Sequence, residues 1–260
     1  MDKRLLAFER LLKIMDELRE QCPWDKKQTI HTLRKLTIEE TYELSDAIIN
    51  EDWKGIKEEL GDLFLHLVFY ARIGNEEEKF DVAEVLNTVC EKLIHRHPHI
   101  YGDVKVADED EVKRNWEQLK LKEGKKSVLE GVPNGLPSIN KAQRIQDKVR
   151  AIGFDWDDKS QVMEKIEEEI SELKEAVANG NGTEIELEFG DVLFALVNYS
   201  RFIQVDAEAA LEKTNQKFMK RFRWMENHAN ENKLNMHEMN LEQLDKIWNL
   251  AKTQLINSTK

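Results

Sequence analysis

Residues 58–71 read EELGDLFLHLVFYA, and residues 185–201 read IELEFGDVLFALVNYSR. On a helical wheel, advancing about 100° per residue, Glu59, Asp62 and His66 fall within one narrow stripe. Almost everything around them, from Leu60 and Leu63 to Phe69 and Ala71, is apolar. A helix apolar nearly all round is predicted to be buried. A buried carboxylate is costly unless it finds a partner or shifts its pKa. The fold and the chemistry both turn on what balances two carboxylates one helical turn apart on such a helix.

The second stretch shows that the pattern is duplicated. IELEFGDVLFALVNYSR matches IKEELGDLFLHLVFYAR (56–72), and upstream KIEEEISELKEA (165–176) matches TIEETYELSDAI (37–48). Glu169, Glu172, Glu188 and Asp191 each lie 129 positions after Glu40, Glu43, Glu59 and Asp62. Further on, TNQKFMKRF (214–222) follows VCEKLIHRH (89–97) at a spacing of 125, the difference falling in the loop GNEEEKFD. IWNLAK (247–252) resembles NWEQLK (115–120), and GFDWD (153–157) sits where CPWD (22–25) sits. A repeat this long is a duplicated domain, not a solenoid unit. The copies meet at SVLEGVPNGLPS (127–138), where Gly131, Pro133, Gly135 and Pro137 break any helix. Each half carries about four helical patterns and no convincing alternating strand. The expectation is an all-α chain of two tandem helical-bundle domains, 1–126 and 138–260, joined by a linker at 127–137.

Composition agrees. Four Pro and eleven Gly in 260 residues leave long runs free to be helical, and 40% apolar residues suffice for a core. The net charge of −12 argues against a nucleic-acid binder, which needs a basic footprint, and against an anionic membrane surface. Cys22 and Cys90 form no C-x-x-C motif or disulfide framework, so a reduced compartment is expected. The N-terminus, MDKRLLAFERLLKIMDELRE, is a charged amphipathic helix without the apolar core of a signal peptide, and no stretch approaches a transmembrane span. A soluble cytoplasmic protein is predicted.

Two helices that each offer an i, i+3 carboxylate pair make an all-oxygen pocket if they pack face to face. Glu169 and Glu172 face Glu188 and Asp191 in this way; Glu40 and Glu43 face Glu59 and Asp62. Hard cations such as Mg²⁺ take such ligands, and the ion offsets repulsion among four clustered charges. The macrodipole alone favours Glu near a helix N-terminus, which suffices for Glu39, Glu40, Glu168 and Glu169 taken singly. It does not explain the pair inside the apolar run. Buried ion pairs are the other way to satisfy these acids; repetition of the whole pattern favours the metal.

Other centres are dismissed. No His has Glu three residues before it, as a di-iron bundle requires. There is no phosphate loop, no nucleophile elbow and no obvious Ser/Cys–His pair. EELGD superficially resembles the end of a Nudix box, but the upstream Gly and Arg-Glu pair are missing. A cationic element does follow each acidic pair: Lys217 and Arg221, four apart in NQKFMKRFR, and Lys92 and Arg96 in the first copy. A basic face beside an acidic metal site suits a metal-bridged polyphosphate; a solvated basic face has the same spacing. Trp24, Trp116, Trp156 and Trp248 fit either a base-stacking role or the core.

E-E-x-x-E followed on the next helix by E-x-x-D, here EETYE…EELGD and EEISE…EFGD, resembles the MazG family of nucleoside triphosphate pyrophosphohydrolases. With CPWD near the start and GFDW after the linker, the resemblance covers essentially the whole chain. It implies an all-α fold whose helical domains dimerise by helix packing, and Mg²⁺-dependent hydrolysis of NTPs and dNTPs, ATP among them, to the monophosphate and pyrophosphate. Mn²⁺ is the expected substitute ion. By resemblance, Glu169, Glu172, Glu188 and Asp191 hold the metal and carry catalysis. Lys217 and Arg221 hold the triphosphate. Lys165, Glu168, Asn198 and Trp248 are further nucleotide contacts, with Lys92 and Arg96 the first-copy phosphate contacts.

The copies differ around their carboxylates. Lys165 aligns with Leu36, Asn198 with Phe69, Ala195 with His66 and Asn215 with Cys90. The second copy offers more polar groups to a nucleotide, so residues 138–260 are expected to carry the main activity. His66 reads as a core histidine or as a metal or phosphate contact. The reading that best fits two copies is a (d)NTP pyrophosphohydrolase that cleanses the nucleotide pool. A narrow dUTPase- or dCTPase-like hydrolase and a non-catalytic dimer that binds a metal–nucleotide are the alternatives.

Overall fold

The computed structural model describes residues 2–108, 111–112, 115–116, 119 and 127–257. Among these every regular element is helical. The chain divides into two compact units, Met1–Leu119 and Lys120–Lys260.

In the first unit, α1 spans Lys3–Gln21, α2 Ile30–Ile49, α3 Trp53–Glu76, α4 Val82–Arg96 and α5 Pro98–Tyr101, with a 3₁₀ turn at Asp25–Lys27. Side-chain caps set the starts: Asp2 accepts from the Arg4 amide, Thr29 and Thr32 close a capping box, and Asp81 and Glu84 close another. Asp52 caps α3 by accepting from the Lys54 and Gly55 amides, so only a short turn separates α2 from α3. Such a connection makes the two helices antiparallel neighbours. Their seam holds Leu33, Val68, Phe69 and Ile73, joined by Met15 of α1 and flanked by Leu36 and Tyr70. Thr37 Oγ1 and Tyr70 OH, 2.9 Å apart, tie the seam with one hydrogen bond. Arg19 anchors α1 by donating to both carboxylate oxygens of Glu76, at 2.9 and 2.8 Å.

The second unit repeats the plan. α6 spans Ser138–Arg150, α7 Lys159–Asn179, α8 Gly182–Phe202, α9 Ala207–Glu231 and α10 Leu241–Asn257, with a 3₁₀ turn at Met236–Glu238. Asp158 and Gln161 form the capping box of α7. α7 ends at Gly180 in the left-handed conformation (φ +72°), which a residue with a Cβ adopts only at a cost. Asn181 then caps α8, so α7 and α8 form the counterpart of the α2–α3 hairpin. α6 packs on α8 and on α9, and α9 packs on α10 around Met225, Ile247 and Ala251. The segment at 127–137 is tied to α6, since Lys148 Nζ donates to the Val128 carbonyl at 3.0 Å and Lys141 Nζ to that of Asn134 at 2.7 Å.

The acidic helices are not buried all round, as their composition implied. Leu60, Phe64 and Leu67 on α3 are 43, 54 and 61% exposed, and Phe189, Leu193 and Leu196 on α8 are exposed likewise. A helix in so small a unit has neighbours on one side only. Its second apolar face stays open, and a Cβ added at Gly61 or Gly190 would meet no atom within 4 Å. No described helix is long and apolar enough to cross a membrane.

Candidate active site

The α7–α8 hairpin brings three of the four predicted carboxylates together. Glu169, Glu172 and Glu188 each present an oxygen, and the three atoms lie within 4.8 Å of one another. Octahedral Mg²⁺ holds oxygens at about 2.0–2.1 Å, which sets ligand–ligand spacings of roughly 3–4 Å. Three carboxylate oxygens this close are the kind of donor set that could hold a hard cation. Asp191, one turn further along α8 and exposed, stands outside this trio. Glu169 is only 7% exposed, and its charge has a built-in partner: Lys165 Nζ lies 2.8 Å from Glu169 Oε1 and 3.0 Å from Glu168 Oε1. Those two hydrogen bonds, that to Glu169 first, raise the Lys165 pKa. Loss of hydration raises the pKa of Glu172, and the Glu169 and Glu188 charges raise it further.

The first unit builds the same trio from Glu40, Glu43 and Glu59, again within 4.8 Å. Asp62 stands outside it, as Asp191 does. Here the position of Lys165 is taken by Leu36, which packs against the core. With Leu36 in that place, Glu40 is pushed up to about 7, by burial first, then by the charges of Asp62 and Glu43 and a hydrogen bond with Glu59. One copy thus sets an ammonium beside its deepest carboxylate, whereas in the other Leu36 stands there and the carboxyl of Glu40 is harder to ionise.

The basic residues lie on other helices. Lys217 is exposed on α9; Arg221 is half-buried, with its guanidinium carbon 5.6 Å from the centroid of the Trp248 ring. Phe218 meets the same ring at 5.0 Å. Trp248 is thus partly a core residue and partly a platform for Arg221. The main partners of α9 are α10 and α6, while α7 packs on α8. The principal packing of this unit does not join the acidic trio to Lys217 and Arg221. In the first unit Lys92 is exposed and Arg96 half-buried on α4, which packs on α3 and α5. Trp116 meets His97 edge-on at 5.2 Å, and Trp24 and Trp156 are exposed.

One residue differs from its sequence reading, and His66 meets one of the two readings given for it. Asn198 does not sit on an open nucleotide face: it is buried, and its Oδ1 accepts from Arg201 Nε at 3.0 Å and from Nη2. Arg201 in turn pairs with Asp155 at 2.8 Å. This clamp was not foreseen, although Arg201 and Arg72 recur at the same 129-residue spacing. His66 is a core residue whose Nδ1 has no hydrogen-bond partner among the described residues. Burial lowers its pKa, opposed by the Asp62 charge.

Comparison with known proteins agrees with the duplicated carboxylate hairpin. The model of the MazG nucleotide pyrophosphohydrolase domain matches twice, over residues 28–101 and 158–228. The chain belongs to the MazG family. Membership makes it a nucleoside triphosphate pyrophosphohydrolase. It is 45% identical over 252 residues to the nucleoside triphosphate pyrophosphohydrolase/pyrophosphatase MazG of Thermotoga maritima, covering 95% of this chain and 96% of that one. It is 40% identical over 261 residues to the nucleoside triphosphate pyrophosphohydrolase of Escherichia coli K12, covering 96% and 98%. Among solved structures, a MazG-related protein from Thermotoga maritima aligns at 29% identity and a TM-score of 0.40, over 44% of this chain and 98% of that one.

Proposed function

We propose that this MazG-family enzyme hydrolyses both NTPs and dNTPs to the monophosphate and pyrophosphate, using Mg²⁺ or Mn²⁺, with its main site in the second copy. The observation that carries the reading is the trio of Glu169, Glu172 and Glu188 oxygens within 4.8 Å, one of them backed by Lys165. Three anionic oxygens converging in a partly buried site call for a divalent cation. The ion supplies neutralisation of phosphate charge and acidification of a water.

The chain's own residues do the rest. Glu169, Glu172 and Glu188 would hold the ion, with Asp191, one turn along the same helix, as the fourth carboxylate of the set. A carboxylate oxygen of the cluster not engaged by the ion would take the proton of the attacking water. Water adds to phosphorus as the α–β anhydride bridge breaks, so pyrophosphate leaves and the monophosphate remains. Lys217 and Arg221 bind the triphosphate oxygens, Lys165 and Glu168 contact the nucleotide, and Trp248 offers a ring for the base. Positioning and electrostatics supply most of the acceleration in such reactions.

The open apolar faces of α3 and α8 support a homodimer formed by helix packing. The composition suits a cytoplasmic enzyme, and the two tandem copies of this family's domain suit one that clears unwanted nucleotides. The test is pyrophosphate release from a panel of NTPs and dNTPs with Mg²⁺, by the parent, Glu43→Ala and Glu172→Ala. Loss confined to Glu172→Ala supports the second copy as the working site; loss confined to Glu43→Ala reverses the assignment. Turnover of a single pyrimidine dNTP alone points to a narrow housekeeping hydrolase.

A further inference from the structure

The two acidic hairpins share their carboxylates but not their counter-charge. In the second copy a lysine already occupies the deepest carboxylate: Lys165 Nζ is 2.8 Å from Glu169 Oε1. Glu169 is nearly buried, whereas the Lys165 side chain is 36% exposed and tethered by a flexible four-carbon stem. In the first copy Leu36 stands in that place and packs into the core, where it offers no cation. One carboxylate of the second-copy trio, Glu169, is therefore also the one that holds an ammonium.

We propose that Lys165 is a built-in rival of the divalent ion for Glu169, so that the second-copy site holds its ion weakly until a triphosphate draws the lysine away. This rests on the reading that Glu169, Glu172 and Glu188 hold the ion. The physical case is simple. The Lys165 charge and a divalent ion close to one carboxylate oxygen repel each other, and both compete for its lone pairs. An opposite charge within about 4–6 Å moves the proton affinity of a carboxylate by about one to three tenfold steps, and a cation competing for the same lone pairs feels the same field. A triphosphate carries several negative charges against one on Glu169, and Lys165 is exposed enough to swing toward them. The anion thus removes the rival and adds its own oxygens to the ion. Linkage makes the effect reciprocal: the ion strengthens triphosphate binding by the same factor. Lys165 then acts as a positioning residue for the order of binding as well as a nucleotide contact.

The experiment follows free Mn²⁺ by electron paramagnetic resonance during titration of the full-length chain. It is run with and without a non-hydrolysable α,β-methylene nucleoside triphosphate. Glu43→Gln and Glu59→Gln form the background, which silences the first-copy carboxylates. Lys165→Gln and Lys165→Leu are expected to bind Mn²⁺ about tenfold more tightly than the background chain without nucleotide, and to gain less when the triphosphate is added. Lys165→Arg, which keeps the charge, is expected to stay weak. Nucleotide-free affinities of Lys165→Gln and Lys165→Leu within twofold of the background chain would overturn the proposal. An Mn²⁺ affinity unchanged by Glu172→Ala, with the triphosphate present, would instead remove the ion site itself and the proposal with it.

Discussion

Glu40 gives the sharpest prediction. Its pKa is pushed from 4.5 to about 7 because burial and the charges of Asp62, Glu43 and Glu59 all oppose its ionisation. The folded first unit therefore holds a proton that the unfolded chain releases near pH 4.5. The associated stability is fully present below that value and is lost as pH rises through about 7. A rise of this size corresponds to about 3 kcal/mol, at 1.36 kcal/mol per pKa unit. Glu40→Gln keeps a donor for Glu59 but cannot ionise. The assay is thermal unfolding of the metal-free full chain between pH 4.5 and 8. The transition that the substitution moves identifies the first unit. At pH 8 the variant should melt on the order of 10 °C above the parent, and the gap should close toward pH 4.5. Mg²⁺ should stabilise the parent more at pH 8 than at pH 6, since the proton must leave before the oxygen can bind an ion. Parallel pH profiles for parent and variant would refute the reasoning.

The remaining predictions address the basic face, the clamp and the core. Lys217→Ala should raise KM for triphosphates several-fold with a smaller effect on kcat, measured by pyrophosphate release; an unchanged KM removes Lys217 from the phosphate site. Arg201→Ala strips the buried Asn198 and Asp155 of their shared donor, so chemical denaturation should show a loss of about 1.5–3 kcal/mol, typical of hydrogen bonds to charged groups. Leu33→Ala, at a fully buried site in the α1–α2–α3 seam, should cost about 2–5 kcal/mol in the first unit by the same measurement and leave the second unit's transition in place.

The sequence by itself determined the helices, their duplication and the sharing of one face by the acidic pairs. These features follow from local periodicity, capping residues and the 129-residue spacing, all of which are properties of the linear chain. Turns of only a few residues also made the hairpins legible, because so short a connection leaves two helices little choice but to pack together. Tertiary structure alone decided which carboxylates converge: Glu172 and Glu188 join Glu169, whereas Asp191, one turn beyond Glu188 on the same helix, does not. It alone showed that Asn198 is buried and that Arg201 reaches Asp155, 46 positions away. It also showed that the apolar helices keep an open face at Phe64 and Phe189. The physical reason is common to all of these. Periodicity tells which residues share a side of a helix, but distance and burial depend on how far two helices are rotated and slid against each other. That is set by the packing of every side chain in the seam at once.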